Sequence, residues 1–189
     1  MKKVYIIHGW GESPDEPLHK WFASQLEKEG FEVQVPAMPN TDEPKIETWV
    51  PFLQELVDMP DLNTFFIGHS IGCQAILRFL ETLPEDTKIG GAVFIAGWYN
   101  VRNLETEEEW KIVRPWVDTP GDDEKVKRVV NRAVVILSDN DPFVAPENQE
   151  SWKKKIGATI IIEHGKGHFT EDDGVKSLPS ALQAILEMR

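Results

Sequence analysis

The 189-residue chain is of single-domain length, and its 41% hydrophobic and 28% charged residues give the balance of an ordinary soluble protein. A formal charge of −12 sets it against nucleic-acid phosphates and against strongly anionic substrates. The single cysteine, Cys73, excludes an internal disulfide, and no apolar run approaches the ~20 residues that cross a bilayer.

Met1-Lys2-Lys3 opens like a signal peptide, but the apolar run Val4–Ile7 is too short and His8-Gly9-Trp10-Gly11 breaks it. A cytoplasmic protein with no membrane partner is expected. Val4–Ile7 instead reads as a first buried strand. Leu18, Phe22 and Leu26 then recur at helical spacing, and Gly30 supplies the stop. Phe31–Val35 is the second strand. Trp49, Phe52, Leu53 and Leu56 share one face of a helix that Pro51 must start or kink. Thr64–Ile67 is the third strand. The helical run to Leu83 carries Ile71, Ala75 and Phe79 on one face and ends at Pro84. Gly91–Ala96, Ala133–Leu137 and Thr159–Glu163 complete the strands. Trp152 and Ile156 mark a helix before the last of them, and Val175–Met188 a closing one.

About 36 residues separate Ala96 from Ala133, far more than an ordinary connection. Within them Asp122–Asn131 predicts a helix, with acids at its start and Lys127 and Arg128 near its end, as the helix dipole favours. Residues 97–121 have two readings. They form a small lid or pocket-lining segment, with Trp98, Tyr99 and Trp116 as walls of an apolar pocket, or they cover the sheet's edge.

Strands alternating with helices predict one α/β domain over residues 1–189, a three-layer sandwich with a six-stranded parallel sheet. The active crevice of such a sheet lies at the carboxyl ends of its strands. His8-Gly9, Ser70, Asp141 and His168 follow strands one, three, five and six, so all open onto that edge.

Gly68-His69-Ser70-Ile71-Gly72 is a G-x-S-x-G elbow between a strand and a helix, where a sharp turn exposes the serine hydroxyl. A serine needs a neighbouring base. His168, in the turn Gly165-Lys166-Gly167-His168-Phe169, is the candidate, with His164 as its rival. Asp141 is the candidate to orient the imidazole, and Asp139 its rival. The order Ser70, Asp141, His168 is that of an α/β-hydrolase triad. The backbone N–H groups of Ile71 and Trp10 are the candidate oxyanion donors. Cys73 reads as a core residue, His69 as structural, His19 as a surface residue, and Asp172 and Asp173 as N-cap candidates for the last helix. No HExxH, CxxC or P-loop occurs, so no metal or cofactor is expected.

The chain resembles the α/β-hydrolase superfamily, and within it the small serine hydrolases grouped with retinoblastoma-binding protein nine. The resemblance runs from end to end. It is carried by Gly68–Gly72, Met38-Pro39-Asn40, Trp49-Val50-Pro51-Phe52, Arg114-Pro115-Trp116, Asp141-Pro142-Phe143-Val144 and Gly167-His168-Phe169. It implies a minimal hydrolase core with little or no lid, strand order 2-1-3-4-5-6 and a triad of Ser70, Asp141 and His168. The pocket-protein-binding L-x-C-x-E segment is absent, and the first turn is less glycine-rich than the namesake's. The functional expectation is a cofactor-independent serine hydrolase cleaving a small carboxylic ester, or a thioester or activated amide, through an acyl-enzyme at Ser70. The alternative is a non-catalytic binding protein that keeps the hydrolase fold.

Overall fold

The computed structural model describes residues 1–189. In chain order its elements are β1 (Lys3–Ile7), α1 (Pro17–Lys28), β2 (Glu32–Gln34), α2 (Ile46–Leu56), β3 (Thr64–His69), α3 (Ile71–Leu80) and β4 (Gly91–Ile95). They continue with α4 (Glu107–Asp118), α5 (Asp123–Val129), β5 (Ala133–Ser138), α6 (Asn148–Ile156), β6 (Thr159–Glu163) and α7 (Pro179–Glu187). The strands form one parallel sheet in the order β2-β1-β3-β4-β5-β6, as expected.

The sequence dictates this layering. Every residue of β3 and β4 is buried, and their runs Thr64-Phe65-Phe66-Ile67 and Gly91-Ala92-Val93-Phe94-Ile95 are apolar on both faces. Strands covered on both sides need two helical layers. Contacts between α2 and α3, α3 and α5, and α5 and α6 make one layer, while α1 and α7 pack together in the other. The edge strands β2 and β6 are only partly covered. No helix is long and apolar enough to cross a membrane.

The elements differ from expectation mainly at their ends. α2 keeps Pro51 in its interior, and α7 begins at Pro179, not Val175. Residues 97–121 carry α4, whose N-terminus is closed by a capping box: Thr106 Oγ1 accepts from Glu109 N–H, and the Glu109 carboxylate accepts from Thr106 N–H. The start of the segment is pinned by Asn148, a buried side chain in α6. Its Oδ1 accepts from the N–H groups of Tyr99 (2.7 Å) and Asn100 (3.0 Å), and its Nδ2 donates to Asn100 O. At the other end, the Arg78 guanidinium donates to the carbonyls of Trp116 and Thr119.

The turn between β3 and α3 is crowded. A Cβ on Gly72 would lie 2.3 Å from Ile7 O and 2.6 Å from His8 O, and one on Gly68 would lie 3.0 Å from Cys73 N. Both glycines of the elbow therefore exist because backbone passes where a side chain would be. Gly72→Ala is expected to destabilise the fold by about 1–3 kcal/mol, since both contacts are with main chain that cannot rotate away. Urea unfolding of the variant against the unmodified chain measures this.

Candidate active site

The elbow fixes Ser70 at φ 50° and ψ −119°, a conformation that non-glycine residues rarely adopt. Its hydroxyl stands at the head of α3, 2.9 Å from Nε2 of His168. Nδ1 of the same ring lies 2.9 Å from Oδ2 of Asp141. Asp141 is 2% exposed, and its other oxygen, Oδ1, accepts from the N–H groups of Phe143 (2.8 Å) and Val144 (3.0 Å). Those two amides aim the remaining oxygen at the imidazole. A carboxylate only accepts, so Nδ1 carries the proton and Nε2 offers its lone pair to the Ser70 hydroxyl. The structure thus brings Ser70, His168 and Asp141, the three residues singled out in the sequence, into one hydrogen-bonded chain.

Backbone and side-chain bonds hold His168 as firmly as the triad does. Its N–H donates to Asp173 Oδ2 (2.8 Å), and its carbonyl accepts from His69 Nε2 (2.8 Å). The loop ahead of it is clasped by the loop after β5. Asp139 accepts from Gly165 N–H, Ser138 Oγ from Lys166 N–H, and Asn140 Oδ1 from Gly167 N–H.

The rival residues fall elsewhere. His164, which the sequence allowed as a buried base, is exposed, and its Nδ1 pairs with Asp139 at 2.7 Å. Asp139, the rival acid, is thereby committed to the loop after β6. Asp173 is not an N-cap, because α7 starts later. It instead binds Thr170 and the His168 amide. His19, expected on the surface, is 2% exposed: α1 turns it inward, and its Nε2 donates to Glu12 Oε2 at 3.1 Å. Burial pushes the Cys73 thiol well above its ordinary range, and Sγ faces Ile95 O at 3.4 Å, so it is no nucleophile.

Ser70 and His168 open into a cavity of about 520 Å³ walled by Trp10, Trp98, Val101, Leu104, Val113 and Phe143. Of Trp98, Tyr99 and Trp116, expected as walls of the pocket, only Trp98 lines this cavity. Tyr99 packs at a tilt against Trp152 and donates its hydroxyl to Asp123, and Trp116 packs edge-on against Trp49 with its Nε1 donating to Pro44 O. Both face the interior beneath α4 and α5. The cavity lining contains Glu12, Glu16, Glu109, Glu171 and Asp172 but no lysine or arginine.

The two candidate oxyanion donors border the same cavity. Ile71 N–H is the first amide of α3, where no intrahelical acceptor exists. Trp10 N–H follows Gly9 in the turn after β1, whose neighbouring amide donates to Glu12 Oε2 at 2.6 Å. His8, fully buried in that turn, accepts Met38 N–H at Nε2, and burial lowers its basicity.

The family model described as serine hydrolase matches residues 4–187. The chain belongs to the serine hydrolase family. This hydrolase is 32% identical over 179 residues to YdeN of Bacillus subtilis, named as a hydrolase without a substrate, with 94% of this chain and 91% of that one covered. It is 25% identical over 171 residues to the rat serine hydrolase RBBP9, covering 88% and 87% of the two chains. The crystal structure of the B. subtilis ydeN product superposes with a TM-score of 0.90 at 28% identity, over 100% of this chain and 98% of that one. Est1E of Butyrivibrio proteoclasticus, solved with ferulic acid bound, matches in fold at a TM-score of 0.72 and 14% identity, covering 100% and 89% of the chains.

Two outcomes follow from the site. Asp141→Asn would present an amide N–H to the ring, favour the wrong tautomer and lower kcat about a thousandfold or more, read by ester hydrolysis or probe labelling. The second concerns Glu12 and His69, whose Oε1 and Nδ1 lie 2.7 Å apart. Burial works to raise the Glu12 carboxyl, but His69 and His19 hold it far below its ordinary range. Burial likewise works to depress His69, and the Glu12 charge outweighs it and raises the ring. A depressed acid contributes stability above its unfolded pKa, and a raised histidine contributes below its own. The stability gap between the unmodified chain and Glu12→Gln should therefore be widest between about pH 4.5 and 6.5. It should narrow as pH rises through the folded pKa of His69, measured by denaturant melts across pH.

Proposed function

We propose that this serine hydrolase cleaves small carboxylic esters through an acyl-enzyme at Ser70. The observation that carries the reading is the continuous chain Asp141–His168–Ser70, with both contacts at 2.9 Å, opening into an apolar cavity. Ser70 Oγ attacks the ester carbonyl while His168 Nε2 takes its proton. The Ile71 and Trp10 amides receive the developing oxyanion, aided by the positive end of α3. Asp141 stabilises the imidazolium. His168 then gives its proton to the departing alcohol, and the acyl-enzyme forms. Water, deprotonated by the same nitrogen, attacks the acyl carbon and releases the acid, restoring Ser70.

Substrate class follows from the cavity. Its walls suit a neutral acyl or aryl group, in keeping with the resemblance in fold to Est1E, which was solved with ferulic acid bound. Glu16, Glu109 and Asp172, which line the cavity without a paired cation, disfavour an anionic one. A fluorophosphonate probe should label the unmodified chain and leave Ser70→Ala and His168→Ala unlabelled. On an ester panel, a neutral ester should be hydrolysed with a lower KM than an acid half-ester of equal length, with the gap shrinking in high salt. A folded protein that neither takes the probe nor cleaves any ester would overturn the reading.

A further inference from the structure

The acyl-transfer steps leave one buried polar cluster unused. Glu12, in the turn after β1, accepts at Oε2 from Gly9 N–H (2.6 Å) and from His19 Nε2–H (3.1 Å). Its Oε1 lies 2.7 Å from His69 Nδ1, an ion-pair contact whose angle departs from that of a good hydrogen bond. On the far side of the same ring, Nε2 donates to the His168 carbonyl at 2.8 Å. The His69 and Glu12 side chains are only 3% and 16% exposed. A carbonyl oxygen cannot donate, so Nε2 must carry a proton. A lone pair on Nδ1 at 2.7 Å from an ionised carboxylate would be repelled, so Nδ1 carries one as well. Burial of a cationic ring is tolerated only beside its counter-charge.

We propose that Glu12 and His69 are positioning residues, a buried carboxylate–imidazolium pair that ties the oxyanion turn to the loop of the catalytic base. Each end of the pair stops one residue or less from a reacting group. Gly9, bonded to Glu12, precedes Trp10; His69 precedes Ser70; and the carbonyl held by His69 is that of His168 itself. Gly9 has the matching close approach, since a Cβ there would lie 3.1 Å from both Glu12 Oε2 and His69 Nδ1.

Other groups near the pair set its charge. The His168 and His19 rings lie with centroids 5.3 and 6.3 Å from that of His69, His8 stands behind His19, and the Asp141 carboxylate acts on the ring from the triad side. A lone cation beside His168 would oppose formation of the catalytic imidazolium. Glu12 cancels that field while leaving the His69 Nε2 donor in place. The pair thus supplies geometry without penalising the proton transfer. The proposal rests on the acyl-enzyme reading of Ser70 and goes beyond it.

The test uses the unmodified protein, Glu12→Gln, His69→Gln and His69→Leu, each checked for folding by thermal melting. Imidazole ¹⁵N NMR of the unmodified protein at neutral pH should show His69 protonated on both nitrogens. A neutral ring with the proton residing on Glu12 would overturn the proposal. On a small neutral ester, Glu12→Gln should lower kcat about ten- to a hundredfold with KM changed by less than about threefold. His69→Gln, whose side-chain amide can still donate toward His168 O, should recover part of the activity lost in His69→Leu. An unchanged kcat in folded Glu12→Gln, or equal losses in the two His69 variants, would also overturn it. Were the unmodified protein inert to probe and esters, the acyl-enzyme reading would fall. The protonation of His69 would then still decide the pair, as it would if the variants failed to fold.

Discussion

A histidine at the end of an edge strand, on a loop with two glycines at positive φ, has every entropic reason to wander. His168 is held instead at each of its polar atoms: the amide by Asp173, the carbonyl by His69, one ring nitrogen by Asp141 and the other by Ser70. These partners come from the loop after β6, the end of β3, the loop after β5 and the elbow. The sheet order brings those places to one edge, and the rest of the site is arranged around that fixed ring. Without the clasp of Ser138, Asp139 and Asn140 on residues 165–167, the ring's near-attack distance to Ser70 would be one conformation among many.

The elbow imposes the second constraint. Its two glycines let α3 start almost in contact with the end of β1, bringing the Ile71 amide and the turn of Trp10 to the same cavity. Strain at Ser70 is sustained by a neighbourhood in which β3, β4 and α3 are buried throughout. Local distortion at Ser70 is thus maintained by an apolar interior far larger than the site.

Much of this was legible from residue order alone. Apolar runs marked the central strands because those strands are covered on both faces, and the spacing of Ser70, Asp141 and His168 against them placed all three at one edge. Pairwise side-chain geometry was not legible. His19 lies on a helix whose amphipathic face is ambiguous at that position, and only the three-dimensional turn of α1 shows it buried against Glu12. Glu12 gave no signal and Asp173 read as an N-cap, since nothing local reveals that an acid is enclosed by imidazoles or backbone amides from other segments. Tyr99 and Trp116 were assigned to a pocket from composition. A polar handle on an aromatic ring seeks a partner, and theirs, Asp123 and Pro44 O, lie on the other side of the segment. Asn148 gave no signal at all, although it anchors the entrance to α4 by binding three backbone groups of residues 99 and 100.

The lysine- and arginine-free lining of the cavity bears on the end of a turnover as much as on its beginning. An ester enters neutral, but the acid cut from it ionises at neutral pH. On the proposed reading it would then face Glu16, Glu109 and Asp172, while Glu12 and Glu171 are already paired with His69 and Lys176. The charge created by such a reaction would make the pocket a poorer host for product than for substrate. A chain of this design would clear its site by electrostatic rejection, and accumulating acid would compete weakly with fresh ester.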